Sequence, residues 1–126
     1  MMNWHFDNDR PIYTQIIESM KLFIVSGELK PGDKVPPVRE LAAEAEVNPN
    51  TMQRALSDLE RDGLLYTNRT SGRFVTENVD VIEAMKLEIA RKSIAAFLTS
   101  MEKIGYSRAE IPQLLKNFKL GDEASE

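Results

Sequence analysis

The strongest constraint on this chain is how often Pro and Gly cut its apolar patterns short between residues 11 and 76. Pro11 opens the series Ile12, Ile16, Met20, Phe23 and Ile24, which marks one helix face, and Gly27 closes it. Leu29-Lys30-Pro31-Gly32-Asp33 reads as a turn, because Pro presets φ and Gly supplies the permissive next residue. Pro36-Pro37 then leads a short helix with Pro37 at its first position, where a missing N–H costs nothing, and with Val38, Leu41, Ala42 and Ala45 inside. After a tight break at Glu46-Val47, a third helix starts with Asn48 as cap and Pro49 at the first position. Met52, Ala55, Leu56 and Leu59 line its apolar face; Gln53, Arg54, Ser57 and Asp58 point elsewhere, and Gly63 stops it. Leu64–Asn68 and Arg73–Glu77 are β-prone, and Arg69-Thr70-Ser71-Gly72 joins them as a hairpin loop.

Three short helices and a hairpin predict a mostly α fold of the winged helix-turn-helix type over residues 1–78. Beyond it, a long helix is expected from Val81 to about Ile104. Leu87, Ala90, Ile94, Phe97, Met101 and Ile104 alternate by three and four along it, an a/d stripe suited to dimerisation. Gly105 ends that helix, and Ser107 with Glu110 resembles a capping box. Ile111, Leu114, Leu115 and Phe118 predict a last helix, although Pro112 lacks a donor where its second turn needs one. Residues 79–126 are therefore expected to form a two-helix dimerisation region.

Composition excludes several classes. With 126 residues the chain has room for one small domain and an appendage. No Cys and a single His, His5, leave no disulfide, no zinc cluster and no Cys–His or Ser–His nucleophile. No glycine loop that would cradle a phosphate is present, and the carboxylates fall beside Lys or Arg, as on solvated helix faces. No catalytic residue, metal or cofactor is expected. No apolar run of about 18 residues exists and the N-terminal stretch has no signal-peptide character, so a cytoplasmic protein without membrane contact is expected.

Net charge is −4 and pI about 5.1, which argues mildly against nucleic acid. Residues 1–78 carry 9 Lys and Arg against 12 Asp and Glu. Yet Val47–Ser57 contains Arg54 and no acid, and Leu64–Thr76 contains Arg69 and Arg73 and no acid. A DNA-facing surface would have to be assembled from such patches.

The stretches PIYTQI (Pro11–Ile16), GELKPGDKVPPVRELA (Gly27–Ala42), VNPNTMQRALSDLERDGLL (Val47–Leu65) and GRFV (Gly72–Val75) together resemble the GntR family of bacterial transcription regulators. The short helical tail and the PIY near the start look like its YtrA-like subfamily. That resemblance implies a dimeric regulator of double-stranded DNA, a homodimeric repressor on an inverted repeat, often encoded beside transporter genes. The same plan also serves as a protein-docking module, and the acidic charge keeps that alternative open. A further alternative is a regulator whose short tail holds a small-molecule effector between the dimer's helices, and nothing in the sequence names one.

The resemblance places Arg39 in the family's P-S-x-R-E-L-A signature, within reach of a phosphate or a guanine edge; here Pro37 replaces the usual Ser. Asn50 and Thr51 sit in the first turn of the third helix, where N–H groups and the dipole favour a phosphate, or where they simply cap. Gln53 and Arg54 follow on the outward face, and their side chains can bond adenine and guanine edges in pairs. In the wing the family shows a Gly-x-Gly tip. Thr70 replaces the first Gly, leaving Gly72, so a different turn is expected; Arg69 and Arg73 would still supply charge. Tyr13 is expected to pack against the third helix, with a hydrogen-bond partner for its hydroxyl as the alternative, and Trp4 and Phe6 to pack onto either domain.

Overall fold

The computed structural model describes residues 2–118. Five helices and a two-stranded antiparallel hairpin follow in the order α1 (Ile12–Val25), α2 (Val38–Ala45), α3 (Pro49–Arg61), β1 (Leu65–Asn68), β2 (Gly72–Val75), α4 (Val79–Ile104) and α5 (Ile111–Asn117). The mostly helical winged fold with C-terminal helices is as the punctuation predicted.

α3 is the centre of the winged part. It packs against α1, α2 and β1. Met52, Ala55, Leu56 and Leu59 are fully enclosed on one face, together with Ile16 and Met20 of α1 and Leu41 of α2. Removing each large side chain from water contributes about 1.5–3 kcal/mol. Asn48 starts α3: its side-chain oxygen accepts from the Asn50 N–H at 2.7 Å, and Pro49 occupies a position whose N–H would have no helical partner. The tight break before it is made by Glu46 in the left-handed region (φ 57°), the one non-glycine residue with positive φ among those described. Pro37 is the N-cap of α2 rather than its first residue.

The hairpin pairs Leu65 with Val75, Tyr66 with Phe74, Thr67 with Arg73 and Asn68 with Gly72. Gly72 thus belongs to β2, and the loop is one residue shorter than expected. A third extended segment joins the sheet. Val35 N–H donates to Arg73 O at 2.8 Å, Val75 N–H donates to Asp33 O at 2.9 Å, and Lys34 lies opposite Phe74. The turn before it closes with Asp33 N–H on Lys30 O at 2.9 Å, with Gly32 at φ 81°.

The N-terminal arm lies on this same unit. Trp4 meets Phe23 edge-on at 5.0 Å between ring centroids, and its Nε1 donates to Glu44 at 3.3 Å. Gln15, 3 % exposed, accepts from Asp7 N–H at 2.7 Å and donates to Asp7 O and Arg10 O, both at 2.9 Å.

The chain divides into two compact units, Met1–Lys86 and one that begins at Leu87. The boundary expected after residue 78 thus falls inside α4, because Ile82 and Met85 on its first turns are buried. α4 itself starts at Val79, two residues earlier than expected, with Asn78 Oδ1 accepting from Asp80 N–H at 3.1 Å. In the second unit, Ser107 N–H donates to Glu110 at 2.9 Å, but α5 has Glu110 as its N-cap with no side-chain cap bond, so this pair closes the turn before the helix and is not the expected capping box. α5 begins only at Ile111, so Pro112 lies in its first turn, where no donor is needed. That removes the conflict over Pro112. Residues 119–126 of the expected dimerisation region lie outside the described residues.

Candidate nucleic-acid interface

With its apolar side enclosed, α3 turns Asn50, Gln53 and Arg54 outward, and all three are exposed. Thr51 is half-buried. Gln53 Nε2 donates to Ser57 Oγ at 3.1 Å, one helical turn on. The Arg54 guanidinium lies over the Tyr13 ring, 4.6 Å from its centroid. Tyr13 thus packs against the third helix as expected, and its partner there is a residue of the outward face.

Arg39 is exposed at the second position of α2. Among the described residues Arg39, Arg54 and Arg69 form no ion pair, so their charge is not neutralised within the chain. Arg73 differs. Its Nε donates to Glu60 at 3.1 Å, its side chain is only 17 % exposed, and Thr67 Oγ1 donates to the same Glu60 oxygen at 2.8 Å. The charge expected from Arg73 at the wing is spent on tying the hairpin to α3.

The tip turns without help from a glycine at position 70. Asn68 Oδ1 accepts from both the Thr70 N–H (3.1 Å) and the Thr70 hydroxyl (2.9 Å), and Thr70 keeps a negative φ. Gly72 takes the positive φ instead, at 112°. A side chain there would also meet Lys34, whose Cε lies 3.2 Å from where a Cβ would stand. Arg69, Thr70 and Gly72 are all exposed. Lys34 is exposed beside the wing as well, and sequence reasoning missed it because the strand carrying it is too short to show alternation.

On α4 the predicted stripe is present and unburied. Leu87, Ile94, Phe97 and Ile104 are exposed, as is Ala90, and Met101 is half-buried. No group of side chains suited to hold a metal occurs among the described residues, and no helix is long and apolar enough to cross a membrane.

The gntR family of bacterial regulatory proteins matches residues 12–75, from the start of α1 to the end of β2. The chain belongs to that family. It is 37 % identical over 120 residues to the uncharacterised HTH-type transcriptional regulator YhcF of Bacillus subtilis, covering 95 % of this chain and 99 % of that one. Its similarity to the Bacillus subtilis repressor YtrA is 50 % over 68 residues, 54 % of this chain and 52 % of the repressor. A GntR family regulator from Listeria monocytogenes has the same architecture, with a TM-score of 0.81, 38 % identity and coverage of 90 % of this chain and all of that one. The DNA-binding domain of AraR, solved in complex with operator ORX1, gives a TM-score of 0.54 at 30 % identity over 60 % of this chain and 96 % of that domain. The protein is thus a GntR-type DNA-binding transcription regulator and not an enzyme.

Proposed function

We propose that this regulator is a homodimeric repressor that reads an inverted-repeat operator in the cytoplasm, the winged unit up to Lys86 binding DNA and the helical region beyond it pairing the subunits. The observation that carries the reading is α3: one side is entirely enclosed and the other presents Asn50, Gln53 and an Arg54 free of carboxylates. Arg54 can meet guanine O6 and N7 in a two-pronged fashion, and Gln53 an adenine edge. Arg39, Asn50, Thr51 and the tip residues Arg69, Thr70 and Gly72 approach phosphates and set the register. Repression is supported by the name of YtrA, and operator binding by the AraR complex. The exposed stripe Leu87, Ala90, Ile94, Phe97, Met101 and Ile104 supplies the pairing surface, so that two copies of α3 address half-sites one helical turn apart, about 34–36 Å. An operon that includes a transporter is the proposed target, and a small-molecule effector would act on the helical region.

A mobility shift on the promoter upstream of its own gene tests this. Arg54→Ala is expected to weaken binding by about 1–3 kcal/mol, roughly 5- to 150-fold, and rising salt to weaken the wild type steeply. Unchanged affinity in Arg54→Ala removes this residue from base reading. No shift of any duplex by the wild type would favour a protein-docking module.

A further inference from the structure

Arg54 is an exposed arginine on the outward face of α3. No carboxylate holds it; the ring of Tyr13, from the first turn of α1, lies against its guanidinium at 4.6 Å. We infer that Tyr13 is a positioning residue for base discrimination: its ring fixes the Arg54 guanidinium on the outer side of α3 and leaves the hydrogen-bonding edges of that group free. The inference rests on the proposal that Arg54 meets a base.

The chemistry favours a ring over an acid in this place. A guanidinium carries its five donors in one plane, so a partner on its face takes none of them, whereas a carboxylate would take two. Stacking also withdraws rotamer freedom from a long side chain before DNA arrives, so less ordering has to be done on binding.

Tyr13 itself is well anchored. Two residues on, Gln15 is buried and tied by three hydrogen bonds to the backbone of Asp7 and Arg10, and Ile16 is fully enclosed. Arg10 pairs with Glu18 at 3.0 Å across the same first turns. α1 then packs on α3, the helix that carries Arg54. The arm, α1 and the ring form one continuous support beneath a single guanidinium.

The test uses the full chain and a duplex that the wild type recovers from a randomised pool, together with every single-base-pair variant of it. Affinities are read by fluorescence anisotropy and folding by far-UV circular dichroism. Tyr13→Leu is expected to weaken binding about two- to fivefold, with the loss of discrimination confined to the base pair that Arg54→Ala also stops reading. Tyr13→Phe, which keeps the ring, should match the wild type, and Tyr13→Leu should add nothing in an Arg54→Ala background. An equal loss in both backgrounds overturns the inference, since it would mark Tyr13 as packing alone. Tyr13→Phe as weak as Tyr13→Leu overturns it as well, in favour of a direct contact by the hydroxyl. If Arg54→Ala itself leaves affinity unchanged, the base-reading proposal falls and takes this one with it. If Arg54→Ala weakens binding while Tyr13→Leu stays uncoupled to it, only the positioning role falls.

Discussion

Helices α3 and α4 treat their apolar sides in opposite ways. α3 encloses Met52, Ala55, Leu56 and Leu59 completely, so what it shows outside is polar. α4 encloses only Ile82 and Met85 and leaves Leu87, Ile94 and Ile104 at 52 %, 56 % and 70 % exposure. The first helix has completed its packing within the chain and can spend its outer face on recognition. The second has not, and its exposed apolar side chains are the surface to which the proposed function assigns pairing. Under the proposed function, reading and pairing fall to the two compact units that meet inside α4 after Lys86.

The comparison breaks first at α3. Leu56→Ala removes a side chain with no exposure at the centre of the winged unit, and is expected to cost about 2–5 kcal/mol in urea unfolding. A cost below about 1 kcal/mol would mean that α3 is not the helix on which the unit is built. Ile94→Asp is the matched change on α4. It should leave unfolding of the winged unit unaltered and weaken self-association about tenfold or more, read by sedimentation velocity. Should the variant pair as well as the wild type, the exposed stripe has another use.

How much of this was legible in the residues differs between the same two regions. Asn48-Pro49 announced the start of α3, and the spacing from Met52 to Leu59 its buried side, because capping and helical period are local properties. The stripe on α4 was legible for the same reason, though not the depth to which its first turns are buried; that depends on contacts made by Ile82 and Met85, not on their spacing. Non-local devices stayed hidden. Asp33–Val35 joins the sheet by pairing with a strand far along the chain, and Gln15 looks like a polar interruption of an apolar face until the arm folds back to bond it. Arg73 looked like free charge at the wing, because Glu60 is separated from it by a turn and a strand. The tip turns without a glycine at position 70 for a local reason that a glycine template conceals: Asn68 builds the turn with its own side chain.

The smallest effect belongs to the turn that leads into α5. Ser107 N–H donates to the Glu110 carboxylate at 2.9 Å, and this backbone bond, with a further one from the Ser107 side chain, lowers the Glu110 pKa from its ordinary 4.5. Because the folded value is the lower one, the contribution is fully present above pH 4.5 and is lost as pH falls through the folded value. The amide resonance of Ser107 should therefore stay constant from about pH 8 to about pH 5 and move only below the ordinary carboxylate range, together with the first-turn amides of α5. Glu110→Gln, which can still accept from Ser107, should keep α5 and abolish the pH dependence. Movement of that resonance already above pH 4.5 would show that the carboxylate is not held in its charged form by Ser107.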